Sequence, residues 1–458
     1  MQFKNECRRE FIKAGGAAWV AGTLGSQAMA IQAARPRVAA VFTVFRFRSH
    51  AYDILENFVN PYLFCGEKVD PGVELVSMYA DQLPVDDMSR DVSKKFDIPL
   101  FGSVDAALCR GKQQLDVDAV LLIGEHGDYP YNELGQHMYP RKRLFDEIVA
   151  VMKRSNRFVP MFNDKHLAYR WDWAKEMVDT AKSLGITLQA GSSVPLASRR
   201  PMLELPAGCE IDEAVSIHGG GLESYDFHAL EVLQSMVESR RGGETGITRV
   251  ELLADDKFRA AEAANDWPHD LIRAAMAAEQ EHDEPRRARP RVGVYSAPEE
   301  NTKNRKNTAV YAIRLTYKDG LRATVLKVGS SGDRWNFACR LKGESLPRAC
   351  MFFNGPWGNR NMFKALSHGI QHLFKTGSAA YPIERTLLTT GIVDAAMHSH
   401  HAGGKPIDTP HLTFGYSPLD FSSHRENGAS WKVLTRDTHE PVEFTPGDDG
   451  ASEQGESR

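Results

Sequence analysis

Four short, nearly continuous apolar runs, at residues 38–42, 73–78, 118–123 and 158–162, constrain this chain more than any other feature. The third, Asp118-Ala119-Val120-Leu121-Leu122-Ile123, has no polar residue after its first, as expected of a strand buried on both faces. The intervening segments carry helical periodicity: 51–59 puts Ile54, Leu55 and Phe58 on one side, and 104–108 and 144–152 read as helices. Strands alternating with helices predict parallel βαβ units and a doubly wound sheet over about 36–165. The fourth run stops at Asn163, Asp164, Lys165 and His166, before a helix over 169–184. Polar groups at the end of an apolar strand lie at the mouth of an open α/β sheet, where such folds take ligands.

Further on the pattern changes. Residues 186–190, 213–218, 248–253, 311–317, 322–328 and 335–342 read as strands, and 229–240, 363–374 and 383–399 as helices. The fold class is therefore α/β: an N-terminal Rossmann-like doubly wound parallel sheet, plus a C-terminal α+β domain with a large, mainly antiparallel open sheet. The domains are placed at 36–168 and 169–420, with the helix near 383–400 returning to the first. The segment 279–307, rich in charge and proline, reads as a solvated loop, and the acidic tail 441–458 as disordered.

Arg8-Arg9-Glu10-Phe11-Ile12-Lys13, a Gly/Ala-rich stretch and Ala28-Met29-Ala30 together resemble a twin-arginine signal over 1–30. Export to the periplasm or beyond, by the twin-arginine machinery, is the expectation. The 458 residues suffice for two cores, and a net charge of −4 leaves no electrostatic footprint for nucleic acid. No apolar run reaches the roughly 18 residues that span a bilayer. Five cysteines remain beyond Cys7, widely spaced and without a CxxC, so neither a disulfide framework nor a zinc knuckle is expected.

The third strand ends in Gly124-Glu125-His126-Gly127-Asp128, on the same sheet edge as Asp164, Lys165 and His166. Together with His218, Glu223, Asp226, His228 and Glu231 these make a cleft lined with imidazoles and carboxylates. Three chemistries stay open. Hydride transfer would use Lys165 or His228 to take a hydroxyl proton. Cofactor-free acid/base work would divide base and acid roles between the same two residues. Metal-assisted chemistry, as in a lyase, hydrolase or isomerase, would gather His126, His166, His218, Glu223 and His228 around a divalent ion, and a non-catalytic binding protein that has lost its cofactor is the remaining alternative. Gly191-Ser192-Ser193 either presents hydroxyls to a ligand or merely connects, and Tyr139-Pro140-Arg141-Lys142-Arg143 either binds an anion or starts a helix. Trp171 and Trp173 stack on a sugar or pack in the core.

The layout resembles the Gfo/Idh/MocA family of oxidoreductases, which pair a Rossmann domain with a C-terminal domain on an open sheet. Residues 162–166 fall where that family carries its Glu-Lys-Pro motif, with Lys165 at the lysine, Asp164 at the glutamate and His166 at the proline. Gly221-Leu222-Glu223-Ser224-Tyr225-Asp226-Phe227-His228 is similar to the family's Asp-x-Gly-x-His segment, and puts His228 at the catalytic histidine. Residues 395–399 resemble its Ala-x-x-Ser helix. The resemblance implies catalysis by Lys165 and His228, with Asp164 and His166 beside them, on a sugar-like small molecule. It also implies NAD(P) as cofactor and a homo-oligomer built through the C-terminal sheet. At the cofactor end the sequence departs: Phe42, Val44 and Phe47 stand where three fingerprint glycines let the backbone approach pyrophosphate. Arg46 and Arg48 remain as phosphate ligands, Asp81 as the ribose ligand beside Ala80, and Glu125 and His126 as further cofactor contacts.

Overall fold

The computed structural model describes residues 34–282, 310–441 and 444. The expected signal over 1–30, most of 279–307 and most of the tail lie outside them. Strands β1 (Arg37–Phe42), β2 (Tyr62–Phe64), β3 (Glu67–Val69), β4 (Glu74–Ala80), β5 (Leu100–Phe101), β6 (Ala119–Ile123), β7 (Met161–Asp164) and β8 (Leu188–Gly191) come first. Between them lie α1 (His50–Val59), α2 (Ser89–Phe96), α3 (Val104–Cys109), α4 (Arg141–Arg154) and α5 (Trp171–Leu184). Apart from the β2-β3 hairpin, these strands form one parallel sheet in the order β5-β4-β1-β6-β7-β8. Every residue of β6 is sealed from solvent. Ala119, Leu121 and Ile123 join one core cluster while Val120 and Leu122 join the other, the double-sided burial an unbroken apolar run requires.

Two expectations shift here. The fourth run does not start a strand at Phe158. Pairing begins at Met161 and includes Asn163 and Asp164, which face Leu122, Ala190 and Gly191 across the ladders. Pro160 has no N–H to give such a ladder. The parallel sheet also runs past residue 168, because β8 adds beside β7 and carries the first domain to Gly191.

The second sheet has β9 (Ser198–Arg200), β10 (Ile211–His218), β11 (Ile247–Ala254), β12 (Tyr311–Tyr317), β13 (Arg322–Lys327), β14 (Trp335–Leu341), β15 (Arg348–Phe353) and β16 (Ile407–Asp408). Their order is β16-β11-β12-β13-β10-β14-β15-β9, antiparallel except between β10 and β13. The helices are α6 (Ser224–Val237), α7 (Asp255–Ala263), α8 (His269–His282), α9 (Asn359–Thr376) and α10 (Ile383–His401). On one face, Ile313, Leu315, Val325 and Phe337 pack in the large core with α6 and α10. On the other, Val215, Ile217, Ala312 and Ala338 lie under Phe258 of α7 and Leu271 and Ala275 of α8, with Trp267 between the helices.

This second layer was not expected: the chain's own α7 and α8 pack on the outer side of the sheet. It corrects the start of the 279–307 loop. Glu279 sits in α8, where Arg334 and Asn336 donate to its carboxylate at 2.7 and 2.6 Å.

Helix α9 lies along α1, and α10 packs on α5, β8, α6 and β11, so the two sheets share one core. Of the expected disordered tail, only Pro441 and Phe444 are among the described residues. Phe444 is buried, with its ring edge-on to Phe45, Tyr52 and Phe96. Among the described residues no helix is long and apolar enough to cross a membrane.

Candidate active site

The switch point of the parallel sheet lies between β1 and β6, where the strand order turns back, and the side chains richest in chemistry gather outside their carboxyl ends. A cavity of about 330 Å³ opens there, and its lining includes Arg48, Glu125, His126, Lys165, Glu223 and His228. Lys165 and His228, sixty-three positions apart in sequence, thus face one hollow. His50, His137, His166, Tyr225 and Trp335 complete much of the wall.

Backbone conformation sets this lining. Among the described residues ten that are not glycine have positive φ, and Arg48 (63°), His126 (69°), Lys165 (61°) and Glu223 (67°) are four of them. Such conformations cost energy and persist where the surroundings enforce them, often at functional sites. Lys165 leaves β7 in this way, its N–H bonded to Gly191 O at 3.2 Å. Its Nζ donates to Glu125 Oε1 at 2.9 Å. The guanidinium of the fully buried Arg141, at the start of α4, donates to Glu125 Oε2 and, through Nη1, to His166 Nε2 at 3.1 Å. A guanidinium only donates, so His166 accepts on Nε2 and carries its proton on Nδ1, a buried atom with no partner. Gly124 makes room for this: a Cβ there would lie 2.6 Å from Arg141 Cγ.

Burial disfavours the charge on Glu125, yet the cations of Lys165 and Arg141 hold it well below the usual carboxylate range. Burial lowers the imidazoles: His126 is pushed down to about 3, helped by His50, and His166 and His228 fall well below 6.5, helped by Arg141 and Lys165 respectively. The cavity at neutral pH therefore holds an ionised carboxylate with its two cations, and His126, His166 and His228 in their neutral forms.

Two further histidines are oriented from behind. His50 Nδ1 lies 2.6 Å from Asp164 Oδ2, and its ring stands 5.0 Å from that of His126. His228 Nδ1 lies 2.6 Å from Ser192 Oγ, which accepts the Val194 N–H at 3.0 Å; Nε2 is left for the cavity. On the far wall Tyr225 and Trp335 stack, centroids 5.3 Å apart and nearly parallel.

Other expected residues go elsewhere. Asp164 stands behind His50 instead of lining the cavity. Of the five expected metal ligands, His126, His166, Glu223 and His228 line this one cavity, with Glu223 held by the His137 N–H at 2.8 Å and His166 facing Arg141, whereas His218 turns away to Asp226 at 3.0 Å. Among the described residues no three His, Cys, Asp or Glu side chains form a metal-ligating group. Trp171 packs against Phe414 and His411, and Trp173 against Tyr169.

The fold implies a dinucleotide, and the residues present do not fit one. Its crevice would lie between the loop after β1 and the end of β4. Here the two are joined. Asp81 N–H donates to Phe42 O (2.9 Å), Gln82 N–H to Thr43 O (2.8 Å) and Met88 N–H to Phe45 O (2.6 Å), while Phe45 N–H donates to Asp87 Oδ2 (2.9 Å). Val44 and Phe45 are fully buried, with Phe444 against Phe45. Of the expected cofactor contacts, Arg46 pairs with Asp86 at 3.5 Å, and Arg48 is buried against Asp53 and Glu440. Asp81 accepts from Tyr79, Tyr129 and Arg143, which leaves it no role toward a ribose. Glu125 and His126 belong to the cavity instead.

Sequence reasoning missed His50, His137, Tyr225 and Trp335, and assigned Arg141 and Ser192 no definite part. Arg141 follows Pro140 at a helix start and Ser192 follows an apolar strand, which were the available signals. His50 and Trp335 carry none that separates them from packing residues.

No protein-family profile and no curated protein sequence matches the chain. Solved structures do. GenD2 from gentamicin A biosynthesis, in complex with NAD, is 12% identical with a TM-score of 0.50, over 82% of this chain and 96% of that one. An apo scyllo-inositol dehydrogenase from Lactobacillus casei is 9% identical (TM-score 0.49; 82% and 98% covered). An oxidoreductase from Agrobacterium radiobacter, in complex with NAD+, L-tartaric acid and magnesium, is 12% identical (TM-score 0.48; 83% and 100% covered). With the parallel sheet, the larger mixed sheet and their shared core, the chain has the fold of the Gfo/Idh/MocA-type oxidoreductases.

Proposed function

We propose that the protein is an enzyme that moves protons on a sugar-like carbonyl compound, without a nicotinamide, in the cavity at the switch point. The observation that carries this reading is that Lys165 and His228 face one polar hollow while the dinucleotide crevice beside it is joined shut. His228, neutral and oriented by Ser192, is the base: with its proton on Nδ1 toward Ser192, Nε2 removes a hydrogen from the carbon beside the carbonyl. Lys165, held by Glu125, places a cation where the carbonyl oxygen gains negative charge. The Tyr225–Trp335 pair supplies an aromatic wall for a sugar's C–H face. Sugar chemistry is also what the printed names of the dehydrogenases of like fold suggest, and the twin-arginine-like N-terminus supports action outside the cytoplasm.

The test is deuterium uptake. The full-length protein is incubated in D2O, without added nucleotide, with D-fructose, D-glucuronate and methyl glycosides oxidised to ring ketones, and C–H exchange is followed by NMR. Exchange beside a carbonyl, reduced about 100-fold or more in His228→Asn and Lys165→Met, is expected. No exchange on any probe, or exchange unchanged in both variants, contradicts the proposal.

A further inference from the structure

We propose that Glu223 delivers the proton to a departing oxygen in this cavity, completing an elimination that His228 begins; this rests on the proton-transfer reading above. The residue caps α6 from a backbone conformation, φ 67° and ψ −70°, that few side chains other than glycine adopt. An ordinary N-cap has no need of that strain. Here it directs a carboxyl from the second domain to the cavity wall, opposite the ends of β6 and β7. A loop from the first domain clasps it there: the His137 N–H donates to Oε2 at 2.8 Å, and the cap's own return bond runs from the Glu223 N–H to Asp226 Oδ2 at 2.8 Å. The loop is stiffened by the Tyr131–His137 bridge and by the His137 imidazole, whose Nε2 donates to Tyr129 O at 2.9 Å.

The carboxyl also takes part in the capping box toward the Asp226 N–H, while its Oε1 is buried without a hydrogen bond. A carboxylate oxygen left so is costly, whereas a carboxylic acid can donate its proton there to a ligand. Burial pushes this carboxyl up to about 7, against the His137 N–H and Arg141. The groups around it are Tyr131 and His137 on the clasping loop, Arg141 on α4, Glu125 after β6, Lys165 after β7 and Asp226 on α6. Glu125 and Glu223 thus share one cavity with their carboxyls shifted in opposite directions, the arrangement that separates an electrostatic carboxylate from a general acid.

The step balances without a redox partner. His228 Nε2 takes the proton from carbon, and the freed electron pair forms a C=C bond. The C–O bond one carbon further breaks with its pair on oxygen, and Glu223 protonates that oxygen. Water or an alcohol leaves, and exchange with solvent returns the proton from His228 and restores the one on Glu223.

A methyl glycoside oxidised to the ketone two carbons from the glycosidic carbon reads both steps, as C–H exchange and as methanol release. In the full chain, Glu223→Gln is expected to retain measurable exchange and to lose methanol release at least about 100-fold, a loss at least about tenfold beyond any loss of exchange. With glutamate carboxyls labelled with 13C, one resonance titrating near pH 7 is expected to vanish in the same variant. Retained exchange shows the variant is folded. Methanol release at the wild-type rate, or the absence of any titration above the ordinary carboxyl range that depends on Glu223, overturns the role of Glu223 alone. A wild type that exchanges no probe overturns the proton-transfer reading and this role with it.

Discussion

Glu125 and Glu231 are both sealed from water, yet their surroundings drive them in opposite directions. Glu125 is ionised between Lys165 and Arg141. Glu125→Gln strands two buried cations, and removal of one partner from a buried ion pair costs roughly 3–5 kcal/mol, readable by urea denaturation at neutral pH. Because its folded pKa is depressed, the stabilisation from Glu125 is present above the ordinary carboxyl pKa and is lost as pH falls through the folded value. Glu231 Oε1 accepts from Thr389 at 2.6 Å while Oε2 is orphaned, and burial raises the group from 4.5 to about 7. Between those values the folded state binds more protons than the unfolded chain, so stability falls as pH rises. Glu231→Gln is expected to gain up to about 3 kcal/mol over wild type on going from pH 5 to pH 8; equal pH dependence in the two proteins would contradict this. At this scale Lys165, His228, Glu125 and His126 were legible, because polar residues ending apolar strands have few other places to go. His50 and Trp335 were not, since their roles come from α1 and β14 meeting elements distant in sequence.

The strands buried on both faces were legible as elements because their apolar runs are unbroken, whereas α7 and α8 were not. Their core contacts are spread thinly, through Phe258, Ala261, Leu271, Ala275 and Ala278, in a segment otherwise charged. The cost of that omission was that the layer over the outer face of the second sheet went unseen. Trp267→Ala is expected to lose about 3–5 kcal/mol of stability, as large core deletions do, and to expose the outer face of the sheet. Thermal unfolding together with sedimentation checks both consequences: a lowered midpoint and new self-association are predicted. Phe444 was missed for a similar reason. A single phenylalanine in an acidic, glycine-rich stretch gives no periodicity, yet Phe444 fills the space between α1 and α2. Phe444→Ala is expected to cost about 3 kcal/mol, measured by urea denaturation; a loss below about 0.5 kcal/mol would show that the contact is dispensable.

Taken as a molecule, the protein has the fold of the Gfo/Idh/MocA-type oxidoreductases, and under the proposed function the hydrogen bonds between the loops after β1 and β4 stand in place of a dinucleotide crevice. The neighbouring cavity holds cations, a carboxylate and imidazoles, the groups that the proposed proton transfer uses. Calorimetric titration of the full-length protein with NADH and NADPH tests that account most directly. No binding of either at millimolar concentration is predicted. A dissociation constant in the micromolar range, with nucleotide contacting the Thr43–Arg48 loop, would contradict it.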